Sequence, residues 1–150
     1  MVKKKIGKAA LAATLVAGVG LAVAIPALAN VRTASPAGVV SMTLPATGQL
    51  QARGASAILV LDVLCPDNTS WARVDLKLTQ RVSKSTTSAY RYDYIDCTGE
   101  TQQVPMYMTV DAPGQAFKGG LVSAEASLNG YVPNVGYVQA TDSGEVKLRK

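Results

Sequence analysis

The sequence has 150 residues, 15 Lys and Arg against 10 Asp and Glu, two cysteines and no histidine. Without histidine, Ser-His-Asp and Cys-His catalysis are excluded, as are His-ligated zinc and haem sites. Four of the basic residues fall at Lys3, Lys4, Lys5 and Lys8, so the net charge of +5 drops to +1 beyond them and gives no argument for a nucleic-acid partner.

In chain order, residues 1–29 read as a secretion signal peptide. The lysines are followed by an uncharged run of small and apolar residues from Ala9 to Ile25, then by Pro26 and Ala27-Leu28-Ala29. A positive start, an apolar helical middle and an A-x-A site form the three-part export signal. Cleavage is expected between Ala29 and Asn30, through the general export machinery and signal peptidase, since the start carries Lys rather than a twin Arg. The alternative is an uncleaved anchor on the outer face of the membrane, but the run is shorter than the roughly 20 residues a spanning helix needs. No cysteine lies near the cut to take a lipid. Residues 30–37 then form a polar, flexible leader, and residues 38–150 a single domain.

That domain reads as all-β. Gly38–Leu44 is a β-branched segment ended by Pro45. Ala55–Cys65 is the strongest strand, nearly continuous in Ile, Leu and Val, a pattern that suits burial on both faces. Pro66-Asp67-Asn68 turns the chain. Trp71–Gln80 alternates, with Ala72, Val74, Leu76 and Leu78 facing one way and Arg73, Asp75, Lys77 and Thr79 the other. Ser83–Ser88 is a polar connector. Ala89–Cys97 is a strand, and Gln102–Val110 is another, with Val104, Met106, Met108 and Val110 in phase and Pro105 marking an edge. After a turn at Asp111–Gly114 comes a strand with Val122, Ala124, Ala126 and Leu128 in phase. The last strand, about Gly144–Arg149, turns Val146 and Leu148 inward. About seven short strands with turns between them predict an antiparallel, immunoglobulin-like sandwich. Cys65 and Cys97 are the only cysteines, and in the oxidising destination the signal implies they are expected to form a disulfide.

Four motifs bear on function. Leu44-Pro45-Ala46-Thr47-Gly48 matches a sortase signal in letters only: a domain follows it, and Val146-Lys147-Leu148-Arg149-Lys150 is no apolar tail. Asn68-Thr69-Ser70 fits a glycosylation sequon. Asp93, Asp96 and Glu100 lie near Cys97, and Asp62 and Asp67 flank Cys65, so a disulfide would gather them. No EF-hand spacing accompanies them, and no metal or other cofactor is expected. An enzyme would need an unusual tyrosine, carboxylate or lysine mechanism, a hydrolase using Asp93, Asp96 or Glu100 among them, and the chain is read as non-catalytic.

The fourth motif is Tyr90-Arg91-Tyr92-Asp93-Tyr94. Alternation places Tyr90, Tyr92 and Tyr94 on one sheet face and Arg91, Asp93, Ile95 and Cys97 on the other. If Cys97 points into the core, the tyrosines form an outer aromatic ladder that could stack on sugars or anchor a protein. The alternative is that they face inward or only pair across strands.

Gly48-Gln49-Leu50, Ala52-Arg53-Gly54-Ala55, Cys65-Pro66, Leu78-Thr79-Gln80, Cys97-Thr98-Gly99 and Phe117-Lys118-Gly119 give the chain a resemblance, over most of residues 39–150, to a group of uncharacterised small exported actinobacterial proteins with an immunoglobulin-like β-sandwich domain. Members of that group often hold a second cysteine pair before the last strand, where this chain reads Tyr131-Val132-Pro133-Asn134-Val135-Gly136-Tyr137. A weaker resemblance is to the secreted immunoglobulin-like apoproteins that carry enediyne chromophores. Both imply a fold and a compartment. The expectation is a secreted binding module for an extracellular protein, a glycan or an envelope component. The alternative is a small-molecule or carbohydrate carrier using a tyrosine-lined face or a cleft between sheets.

Overall fold

The computed structural model describes residues 39–150; the expected secretion signal, its cleavage site and the whole of the leader lie outside the described residues. The described chain forms eight strands: β1 (Ser41–Thr43), β2 (Thr47–Gln51), β3 (Ser56–Leu64), β4 (Trp71–Val82), β5 (Ser85–Ile95), β6 (Gln102–Thr109), β7 (Gly120–Val132) and β8 (Gly136–Arg149). The one helical piece among them is a 3-10 turn at Ala52–Gly54.

Period-2 burial drives each strand to its place. Ala72, Val74, Leu76 and Leu78 of β4 are sealed from water, as are Val122, Ala124, Ala126 and Leu128 of β7 and Val146 and Leu148 of β8. Ala57, Leu59, Leu61 and Val63 of β3 and Val104, Met106 and Met108 of β6 are buried in the same way, and all belong to one contiguous core. A core fed by alternate residues of every long strand is the sandwich solution to burying one face of a sheet.

One half of the sandwich pairs β5, β4, β7 and β8 in antiparallel order. The other half has β3 at its centre, with β6 along one edge and both β1 and β2 on the opposite edge, each covering part of β3. The two halves are continuous through β2 and β8, which pair in parallel from Thr47↔Lys147 to Gln49↔Arg149. The sandwich is therefore all-β and antiparallel except for this one parallel seam.

The opposite side of the sandwich is closed without a strand ladder. Asp111, just past β6, donates its N–H to the Ser88 carbonyl at 2.9 Å. Its carboxylate accepts from the Ser88 hydroxyl at 2.8 Å and from the Tyr90 N–H at 3.1 Å. Past the C-terminal end of β5 the Cys65–Cys97 disulfide ties the end of β3 to the end of β5, and the Gly99 N–H donates to the Cys65 carbonyl at 3.0 Å.

Several sequence expectations need correction. Among the described residues eight strands stand where about seven were expected, the added one being β2, hidden beneath the Pro45 and Gly48 turn signals. β5 begins at Ser85, inside the expected connector, since only Ser83 and Lys84 separate it from β4 and Ser83 takes a positive φ of 58°. β8 begins at Gly136, ten residues before Val146, the first of its buried positions. β3 is buried on one face only; Val60 on the other is exposed, because no further layer covers that side. Pro105 does lie on an edge strand, as β6 pairs only with β3 among the described residues.

Two further details follow from the packing. The Thr47–Gly48 bond of the sortase-like motif is locked in β2 between β3 and β8, with Gly48 buried, so it is not offered as an extended substrate. Three short segments, residues 52–55, 78–80 and 117–119, meet in space. Phe117 donates its N–H to the Gly54 carbonyl at 2.8 Å, and buried Gln80 bonds both the N–H and the carbonyl of Lys118.

Gly54 sits at φ 94°, and a Cβ there would stand 2.1 Å from the Phe117 carbonyl oxygen. Gly54→Ala is expected to destabilise the fold by about 3 kcal/mol, read as a lower urea midpoint at unchanged slope. The disulfide closes a separation of 32 residues. Replacing both cysteines by Ala should cost about 3–4 kcal/mol in the same assay.

Candidate functional site

Because β4 points its apolar residues inward, the intervening side chains are carried to the outer face, and the ladders fix who stands beside whom. Tyr94, Arg73 and Asn129 share one cross-strand row; Tyr92, Asp75 and Ser127 the next; Tyr90, Lys77 and Glu125 the third. Trp71, Tyr131 and Tyr137 make a further row at the disulfide end of the sheet.

The three tyrosines of β5 are 53%, 50% and 67% exposed for Tyr90, Tyr92 and Tyr94. They lie on the outer face, the arrangement expected if Cys97 turns toward the core, where it packs partly buried. Ring centroids are 6.5 Å apart for Tyr90–Tyr92 and 6.3 Å for Tyr92–Tyr94, with the rings tilted by 47° and 87°. At the sheet end, Tyr137 packs edge-on against Trp71 at 6.2 Å and Tyr131 at 5.4 Å. Such edge-to-face pairs are each worth about 0.5–1.5 kcal/mol beyond area burial.

Asp75 organises the polar ground between these aromatics. Its side chain is only 12% exposed, and three strands supply its donors. Arg73 Nε donates at 3.0 Å from β4, the Tyr90 hydroxyl at 2.5 Å from β5 and Asn129 Nδ2 at 3.2 Å from β7. The Arg73 guanidinium also lies 5.5 Å from the centroid of the Tyr92 ring, in cation–π range. Lys77 reaches Glu125 at 3.7 Å, an exposed pair of small energetic weight. The hydrogen bond to Asp75 raises the Tyr90 phenol above its ordinary range, because ionising it would forfeit that bond and set two negative charges together.

The inner phase of β5 holds a surprise. Arg91 and Asp93 stand in register with buried Leu76 and Val74 of β4, yet both remain partly open to solvent and pair with each other at 3.0 Å. The seam between β5 and β6 admits water there. The acidic residues near the disulfide do not assemble: among the described residues no group of three Asp, Glu, Cys or His is placed to hold a metal. Asp93 is taken by Arg91, and Asp96 uses its carbonyl to accept from Gln102 at 2.9 Å.

Sequence reasoning located Tyr90, Tyr92 and Tyr94 but missed Asp75, Asn129 and the joining of Trp71 with Tyr131 and Tyr137. Alternation had turned Asp75 outward; its partners needed the register of β4 with β7, which no local pattern carries. A separate concavity of about 490 Å³, lined by Leu50, Arg53, Phe117, Lys118 and Lys150 among others, has three basic and no acidic side chains.

The fold and this surface define an all-β domain with a polar sheet face bordered by aromatics. No protein-family model and no curated protein matches the chain. Among solved structures it is similar to Spo0M, a sporulation control protein from Bacillus subtilis, at 12% identity and a TM-score of 0.36, over 77% of this chain and 51% of that one. The chain thus spans about half the length of that protein. Among the described residues no helix is long and apolar enough to cross a membrane.

Asp75→Asn removes the carboxylate that holds Tyr90 up, first through its strong hydrogen bond and then through its charge. In a tyrosine-ring carbon NMR titration the Tyr90 midpoint should fall toward the ordinary phenol value.

Proposed function

We propose that this chain is an exported, non-catalytic binding module whose contact surface is the outer face of β5, β4, β7 and β8. The observation that carries the reading is the column of three exposed tyrosines on β5. Large aromatics left in water along one strand forgo burial that the core would reward, and contiguous exposed aromatic surface is a mark of contact sites. The partner is an extracellular protein, a glycan or an envelope component. The three-part signal in residues 1–29 supports export, and the Cys65–Cys97 bond suits an oxidising compartment. Retention of the signal would place the same module at the outer face of the membrane.

The test is co-sedimentation of the purified protein with envelope fractions of its source cells. Substituting Tyr92 and Tyr94 together by Ser should abolish sedimentation while the melting temperature falls by no more than a few degrees, since neither ring is part of the core. Undiminished sedimentation of that variant would refute the assignment of this face.

A further inference from the structure

Resting on that reading of the face, we infer that its ligand is a neutral oligosaccharide. The distribution of polarity selects the class. A protein partner is met by an apolar, charge-depleted centre ringed by a polar rim. This face is arranged the other way round. Aromatic rings border it along β5 and across the Trp71 end, while Arg73, Asp75, Lys77 and Glu125 occupy the middle. A pyranose suits that pattern: its C–H faces stack on aromatic rings, and its hydroxyls each donate and accept, matching planar carboxylate, amide and guanidinium groups.

Charge narrows the class further. Each central cation has its own carboxylate, Arg73 with Asp75 at 3.0 Å and Lys77 with Glu125 at 3.7 Å. The β4 centre of the face therefore carries no unpaired cation to draw an anionic polymer and no excess of carboxylates over cations to draw a cationic one. The polar groups are also set before any ligand arrives. Asp75 is pinned by donors from three strands, so the ordering cost of binding is reduced in advance. Next to it lies a depression of about 340 Å³ bounded by Tyr90, Asp75, Glu125, Ser127 and Thr141, in which further hydroxyl and carboxylate groups face outward.

Ring orientation speaks to ligand length. With Tyr92 and Tyr94 at 87° to one another, the column offers no single plane. It matches a short, free chain whose sugar units turn relative to one another, rather than the flat face of a packed polysaccharide.

The experiment titrates the isotope-labelled full chain with tri- to hexasaccharides of glucose, mannose, galactose, xylose and N-acetylglucosamine, following Arg73 and Asn129 side-chain signals. At least one of these should shift both signals, with an affinity that changes little between low and high salt. Tyr92→Ser and Asn129→Ala should each weaken it about tenfold or more, about 1.4 kcal/mol, whereas Tyr92→Phe, which keeps the stacking ring, should retain it. Absence of shifts with every oligosaccharide, or an affinity that collapses with salt, would overturn the inference. Envelope sedimentation separates that failure from failure of the surface itself. Tyrosine-dependent sedimentation destroyed by protease but not by periodate would leave the contact surface standing with a protein partner and the glycan inference overturned. Sedimentation indifferent to Tyr92 and Tyr94 would remove both.

Discussion

The side chains of Ala72, Val74, Leu76 and Leu78 are sealed in the core, and side chains alternate strictly along a strand, so their burial decides what β4 shows to water. Trp71, Arg73, Asp75 and Lys77 are carried outward together. Through the ladders on either side, the same choice turns Tyr90, Tyr92 and Tyr94 out on β5, and Tyr131, Asn129 and Ser127 out on β7. A slip of one residue would reverse every member of the face at once. Core and surface are thus one decision, enforced by apolar burial at the centre of the sheet.

What keeps the face in shape is the anchoring of β5 at two points. This strand has a ladder on one side only, yet it is fastened to the opposite half of the sandwich at its middle, by the Asp111 clamp at Ser88 and Tyr90, and past its C-terminal end, by the disulfide beyond Ile95. The Tyr90 backbone is held by Asp111 while its hydroxyl is held by Asp75. Backbone and side chain of that residue are therefore fixed by two different carboxylates, one from each half of the fold.

Much of this was legible in the sequence wherever the signal is local. The alternation of Trp71–Gln80, the in-phase Val104, Met106 and Met108, the disulfide and the shared phase of Tyr90, Tyr92 and Tyr94 follow from period 2 and a count of two cysteines, but the face those tyrosines take is decided only by the fold. What was not legible depends on partners distant in the chain. Thr47–Gln51 is short, contains a glycine and follows a proline, and it becomes a strand only because β3 and β8 flank it. Residues 136–143 of β8 have little buried on either side and are held by β7 rather than by their own pattern. The Asp75 network joins residues separated by up to 54 positions, a distance no motif spans.

The open seam beside β5 carries one further consequence. An edge strand rich in tyrosine is a ready template for adding strands from other copies of the chain, the route to sheet aggregation. Here its inner phase bears the Arg91–Asp93 pair and its free edge is partly capped by Asp111. A strand arriving at that edge would have to bury a charged pair against Leu76 and Val74. The charged pair and the Asp111 cap thus work against strand addition at the very border where the tyrosines are displayed.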